Sequence, residues 1–186
     1  MTAFEYLSVL LSIILGLAIT QILQGYRALL LTRRTVKRHW PTLIWSALLL
    51  LFAAQAWWAS FGLEAQTEWR FDTFLVILLQ MGLIYMMAAL VLPDVSHGTE
   101  VDLALHHEAQ RRPFFTCLLL VVTTSLAKDF MLEGKLPAAL NVGFHLLLAA
   151  VALLGLVVRK QALQLGLALF VTAIFAVYVG ALFARL

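Results

Sequence analysis

The chain has 186 residues, 63% hydrophobic and 12% charged, with a net charge of +3 and a mean hydropathy of +0.95. Soluble domains carry roughly 25% charged residues, so an ordinary water-soluble globule and a disordered chain are both excluded. A lone cysteine, Cys117, excludes a disulfide framework and reads as a small packing residue.

A membrane span needs about 20 mostly apolar residues, because only a helix closes its own backbone hydrogen bonds across hydrocarbon. The first such stretch is Phe4 to Tyr26. Nothing basic precedes it and no small-residue cleavage pattern follows, so it reads as a retained helix rather than a signal peptide. The second runs from Pro41 to Gly62, the third from Phe71 to Leu92, the fourth from Pro113 to Leu132, the fifth from Pro137 to Val158 and the sixth from Ala162 to Ala184. Proline is predicted to open the second, fourth and fifth, where its missing N–H is harmless, and Pro93 to close the third. The expected fold is therefore all-α: one transmembrane domain over residues 1–186, a polytopic bundle of six helices whose largest connection is a loop over 93–112.

Basic residues suggest an orientation. Arg27, Arg33, Arg34, Lys37, Arg38, Arg111, Arg112, Arg159 and Lys160 fall on one side, and Arg70, Lys128, Lys135 and Arg185 on the other. The positive-inside rule puts both termini outside and the 93–112 loop in the cytoplasm. Trp40 and Trp45 then belong to an inner aromatic belt, and Trp57, Trp58 and Trp69 to an outer one. The Arg33, Arg34, Lys37, Arg38 cluster reads as a topology signal in contact with anionic headgroups, and no nucleic acid is expected. Arg111 and Arg112 read as further headgroup anchors.

Small residues let helices approach closely in lipid. Ser8, Ser12, Gly16, Thr20 and Gln24 recur every fourth residue on the first helix, and Thr172, Ala176, Gly180 and Ala184 on the sixth. Both ladders are expected to pack against neighbouring helices or against another subunit, so a homo-oligomer is expected.

Polar groups inside spans are costly, and ionisable ones point to function. His145 lies roughly 12 Å below the outer end of the fifth helix, Gln80 roughly 14 Å down the third, and Thr123 and Thr124 roughly 15 Å along the fourth. Gln55, Tyr85, Lys128, Asp129, Asn141 and Tyr178 complete a set able to line an outward-opening cleft. Lys128 and Asp129 also suit a reading in which they snorkel to the headgroups, since sequence neighbours point about 100° apart on a helix. His145 is expected to be neutral and hydrogen-bonded to Gln80 or a threonine. Gln55, with Trp57 and Trp58, forms either a ligand-facing wall or part of the belt.

The 93–112 loop carries Asp94, His97, Glu100, Asp102, His106, His107 and Glu108. From Thr99 a short helix is possible, placing Asp102 and His106 one turn apart, but the spacing matches no zinc signature. A solvated connection is expected, with no metal and no cofactor. Paired acids, or a nucleophile beside a base, are not legible within the spans, which argues against an enzyme.

The segments Phe4-Glu5-Tyr6-Leu7-Ser8-Val9-Leu10, Ser12-Ile13-Ile14-Leu15-Gly16-Leu17, Gln55-Ala56-Trp57-Trp58 and Arg111-Arg112-Pro113-Phe114-Phe115 resemble those of a group of small six-helix integral membrane proteins of bacteria. The resemblance covers the first two-thirds of the chain. It implies a bacterial inner membrane and carries over no activity and no site residue. Two function classes follow: an oligomeric channel or transporter for a small polar solute or cation, and a non-transporting module such as a sensor, assembly partner or lipid-binding bundle.

Overall fold

A computed structural model describes residues 3–32, 36–66, 68–95 and 100–180. Six helices are long and apolar enough to cross a membrane, the architecture of an integral membrane protein. They are α1 (Ala3–Leu31), α2 (Trp40–Ala59, running into a 3-10 segment, Ser60–Ala65), α3 (Phe71–Val91), α4 (Leu103–Glu133), α5 (Ala139–Val157) and α6 (Gln161–Tyr178). The surface is that of a protein in lipid: Val9, Ile13, Leu17, Leu79, Leu146, Leu153, Phe170 and Val177 all point outward.

Helices α2, α3, α4, α5 and α6 form a closed ring in that order, each touching the next and α6 returning to α2, while α1 lies outside against α2 and α3. The burial pattern on α1 explains its place. Leu7, Leu11, Leu15, Ala18 and Ile22 recur with the helical period and are buried, giving one apolar stripe toward α2 and α3. The Ser8, Ser12, Gly16, Thr20, Gln24 ladder lies away from that stripe, with Ser12, Gly16, Thr20 and Gln24 exposed. On α6, Gln164, Ala168, Val171, Ile174 and Phe175 turn inward while Thr172, Ala176 and Gly180 turn out. Neither ladder is the buried stripe of its helix; Ala184 lies outside the described residues. The ladder hydroxyls are satisfied close to home, Ser8 on the Glu5 carbonyl, Thr20 on that of Gly16 and Thr172 on that of Ala168, as hydroxyls facing hydrocarbon must be. Ser12 accepts from the Trp57 indole N–H at 3.1 Å.

The expected boundary of the fourth helix is wrong. α4 begins at Leu103, and Pro113 sits in its interior, exposed on its outer face. Asp102 starts it by capping, its Oδ1 accepting from the Ala104 and Leu105 amides at 2.9 and 3.0 Å. At 31 residues the helix is about 46 Å long, well beyond the roughly 30 Å of hydrocarbon, so one end stands clear of it. Gly134, with φ +67°, stops the other end. Two short strands, β1 (Val36–Lys37) and β2 (Val101–Asp102), pair in parallel beside the start of α4.

The half of the bundle containing the start of α4 is packed solid. Trp45, fully buried, meets Phe114 and Phe115 edge-on at ring-centroid distances of 5.3 and 5.4 Å. Trp45 is thus a core residue and not part of an aromatic belt, whereas Trp40 is exposed. Gly155 of α5 lies so near the Phe115 ring that a Cβ there would stand 2.5 Å from it.

Candidate functional site

The opposite half of the ring is not filled. A cavity of about 330 Å³ runs down between α2, α3, α4, α5 and α6, with Leu11 reaching in from α1. Its rim lies where α1 begins and α6 ends, at Gln66, Glu133 and Pro137, and its inner wall reaches Leu49, Met87 and Leu118 above the aromatic plug. From Glu133 to Leu118 the wall descends about 22 Å along α4.

Two polar levels line it. At the inner level Ser125 of α4 and His145 of α5 meet, Ser125 Oγ lying 3.0 Å from His145 Nε2. His145 Nδ1 donates to the Asn141 backbone carbonyl one turn away, at 2.8 Å. Since a carbonyl only accepts, Nδ1 carries a proton, and both ring nitrogens find partners within the chain. It is 7% exposed. The expected partners, Gln80 or a threonine, are replaced by Ser125 and a backbone carbonyl. Gln80 of α3 faces the same cavity, 8% exposed, with its Oε1 buried and unpartnered.

One turn toward the rim come Asp129 on α4 and Asn141 on α5. Because α4 rises toward the rim and α5 descends from it, a step of four residues from Ser125 and from His145 brings both to one height, about 6 Å above the inner level. Asn141 Oδ1 is also buried without a partner. Asp129 is paired with Lys128 at 3.2 Å, both side chains about one-fifth exposed and both lining the cavity. This corrects the snorkelling alternative: flexible side chains close the 100° between neighbours when both lean into one cleft. Phe52, Phe144, Phe175 and Tyr178 give the walls aromatic surface, Phe144 and Tyr178 meeting edge-on at 5.1 Å.

Of the residues singled out from sequence, Gln55, Gln80, Lys128, Asp129, Asn141, His145 and Tyr178 line the cavity. Thr123 and Thr124 do not; their hydroxyls bond the carbonyl of Leu120, and Thr123 is exposed. Tyr85 is also absent from the lining and packs beside the aromatic core. Trp57 and Trp58 are outside it as well, so Gln55 is not part of an aromatic ligand wall. The residue overlooked is Ser125. Its signal was the buried stripe Arg111, Phe114, Phe115, Leu118, Val122, which continues by helical steps to Ser125 and Asp129 and leaves Thr123 and Thr124 off-phase.

Residues 100–112 supply caps to neighbouring helix ends and are not only a solvated connection. His106 Nε2 donates to the Leu90 carbonyl at the end of α3, 2.9 Å away. Arg111, 2% exposed, donates through one guanidinium nitrogen to the Gly155 and Leu156 carbonyls at the end of α5 and through Nε to Glu108 at 3.2 Å. Gln164 Nε2 donates to the Val158 carbonyl at 2.6 Å, and its Oε1 lies 3.4 Å from His107 Nε2. These are the carbonyls a helix end leaves without partners. Arg111 is therefore not a headgroup anchor, whereas Arg112 is exposed. His39 bonds Thr42 at 2.8 Å and faces the His107 ring at 5.0 Å; burial holds the His39 imidazole below its ordinary pKa. Asp102 and His106, considered as a metal pair, are engaged in separate caps, and no cluster of three metal-ligating side chains occurs among the described residues. His97 and Thr99 lie outside the described residues, as do Arg33 and Arg34. Lys37 pairs with Glu100 at 3.0 Å, which raises the pKa of its ammonium, and Arg38 is exposed.

Ser125 beside His145 does place a hydroxyl against a base, contrary to the reading that the spans bring no such pair together. Ser125 lies in the middle of α4, where the backbone N–H groups are committed to the helix and supply no oxyanion hole. No protein-family model matches the chain, and no curated protein or solved structure is matched by it.

Proposed function

We propose that this protein is a membrane carrier that takes a small polar solute or cation into the cleft from the face where α1 begins, and that it works as a homo-oligomer in a bacterial inner membrane. The observation that carries the reading is Gln80: an amide deep in hydrocarbon, in the wall of a 330 Å³ cavity, with its oxygen unpartnered. An unmet acceptor of this kind costs about 1–3 kcal/mol, and a bound solute would recover it. Cavity size and lining, apolar walls with a few convergent polar groups, fit a small-molecule site. A carrier suits the chain better than an open channel, because Trp45, Phe114 and Phe115 fill the path beyond Leu118 and passage would need the ring to rearrange. The exposed ladders on α1 and α6 support assembly. The asymmetry of basic residues favours the cleft opening outside, with Arg38 and its neighbours Arg33, Arg34 and Lys37 toward anionic headgroups of the inner leaflet. Without backbone oxyanion donors, the Ser125 and His145 pair favours structure over hydrolysis.

The test is flux. Purified protein in liposomes should move a subset of small cationic, neutral or anionic solutes, and Gln80→Leu should reduce that flux while preserving thermal stability. Undiminished flux in Gln80→Leu would remove the cleft from the mechanism. The alternative of a non-transporting module is favoured by the packed plug, and it predicts saturable binding without flux.

A further inference from the structure

Resting on the cleft as a solute site, the sign and spacing of its polar groups select among solutes. Two carboxylates, Asp129 and Glu133, and one ammonium, Lys128, line it, Lys128 being paired with Asp129. Glu133 has no ion-pair partner among the described residues. The unsatisfied polar atoms of its lining residues, Gln80 Oε1 and Asn141 Oδ1, are acceptors buried in the cleft wall, which meet a solute when the side chain swings into the cavity. Both ask for a donor. Asn141 stands about 6 Å above the level of Ser125 and His145, and Ile77, Val122, Phe144 and Phe175 give the cleft its apolar surface.

We propose that the cleft binds a protonated aliphatic amine, whose ammonium takes the place of Lys128 against Asp129 and Asn141 while its chain lies on the apolar wall toward Gln80. Lys128 is the built-in occupant of this site. Its ammonium neutralises Asp129 in the empty cleft, where a carboxylate alone would be costly to bury, and an incoming amine exchanges for it without a change in the charge held by the carboxylate. The aromatic side chains add cation–π attraction. An amine with a second donor four carbons away reaches both levels at once.

Calorimetry on the wild-type protein in nanodiscs, with n-butylamine, a four-carbon diamine, tetramethylammonium, n-butanol and butyrate as probes, reads this directly. The diamine should bind tightest and butylamine next. Tetramethylammonium, which has charge but no N–H, should be weaker than butylamine, and butanol and butyrate should not compete. Lys128→Gln, which removes the internal competitor, should tighten amine binding about tenfold, and Asp129→Asn should weaken it at least tenfold, the scale of one charge-assisted hydrogen bond. Weaker or unchanged amine binding in a folded Lys128→Gln protein overturns the exchange, as does competition by butyrate. Should either variant misfold, the ranking of probes on the wild type decides alone. Flux of a neutral or anionic solute without amine binding sinks this inference and leaves the carrier standing; absence of both binding and flux for every solute sinks the two together.

Discussion

Replacing Arg111 with methionine tests whether the charged residues at the start of α4 hold the bundle together. The side chain is almost wholly buried and serves two carbonyls at the end of α5 as well as Glu108. Methionine fills similar volume and offers no donor, so the Gly155 and Leu156 carbonyls lose their charged partner; Gly155 keeps only a long 3.5 Å contact from Gln164. Hydrogen bonds from a charged group contribute about 1.5–3 kcal/mol each, and breaking a buried pair from one side costs about 3–5 kcal/mol. The expected loss is therefore about 3–5 kcal/mol, since Glu108 is half exposed and can turn to water or to Arg159, 3.6 Å away. Arg111→Lys should lose roughly half of that, because a point charge cannot reproduce the guanidinium fork. Arg112→Met, one residue along and exposed, should stay within about 0.5 kcal/mol of wild type. Reversible unfolding in mixed micelles, followed by far-UV circular dichroism against detergent fraction, gives all four values. If Arg111→Met unfolds with Arg112→Met, the caps contribute nothing and the reasoning fails.

Gly155→Ala should destabilise the bundle by about 1–3 kcal/mol through overpacking, since the new methyl meets the Phe115 ring at 2.5 Å; the double variant with Phe115→Leu should recover most of the loss in the same titration. Gly16 is exposed and a Cβ there meets nothing within 4 Å, so the thermal stability of Gly16→Leu should match wild type while its oligomer, sized by light scattering in detergent, falls apart; an unchanged assembly rules out the α1 ladder as an interface. Acid should weaken the capped end in two stages. The folded state holds His39 below its ordinary pKa of 6.5, so the unfolded chain binds the extra proton and stability declines as pH falls below that value. Asp102, lowered by the amides it caps, chiefly that of Leu105, contributes above its ordinary 3.8 and is lost as pH falls through its folded value. Melting temperature recorded from pH 8 to 2, with His39→Asn flattening the first decline and Asp102→Asn the second, checks the assignment; a wild-type curve that rises toward acid contradicts it.

Sequence alone determined the class of the protein and most of its helices, because hydrocarbon imposes a length and an apolar composition that only six stretches meet. It placed Gln80 and His145 at similar depth by counting residues, since helical rise is fixed. Rotation about each helix axis was beyond it. Helices that are apolar all round carry no stripe to orient them, which is why Thr123 and Thr124 were chosen over Ser125, and why ladders on α1 and α6 that face outward were candidates for seams within the chain. Local rules also failed where a distant partner intervened. Pro113 marks a helix start only until Asp102 caps the chain earlier, and Arg111 anchors to headgroups only until the end of α5 presents its carbonyls. Tertiary structure decided which faces meet, because burial in lipid rewards close fit and satisfied polar groups rather than hydrophobicity, and both are properties of pairs of helices.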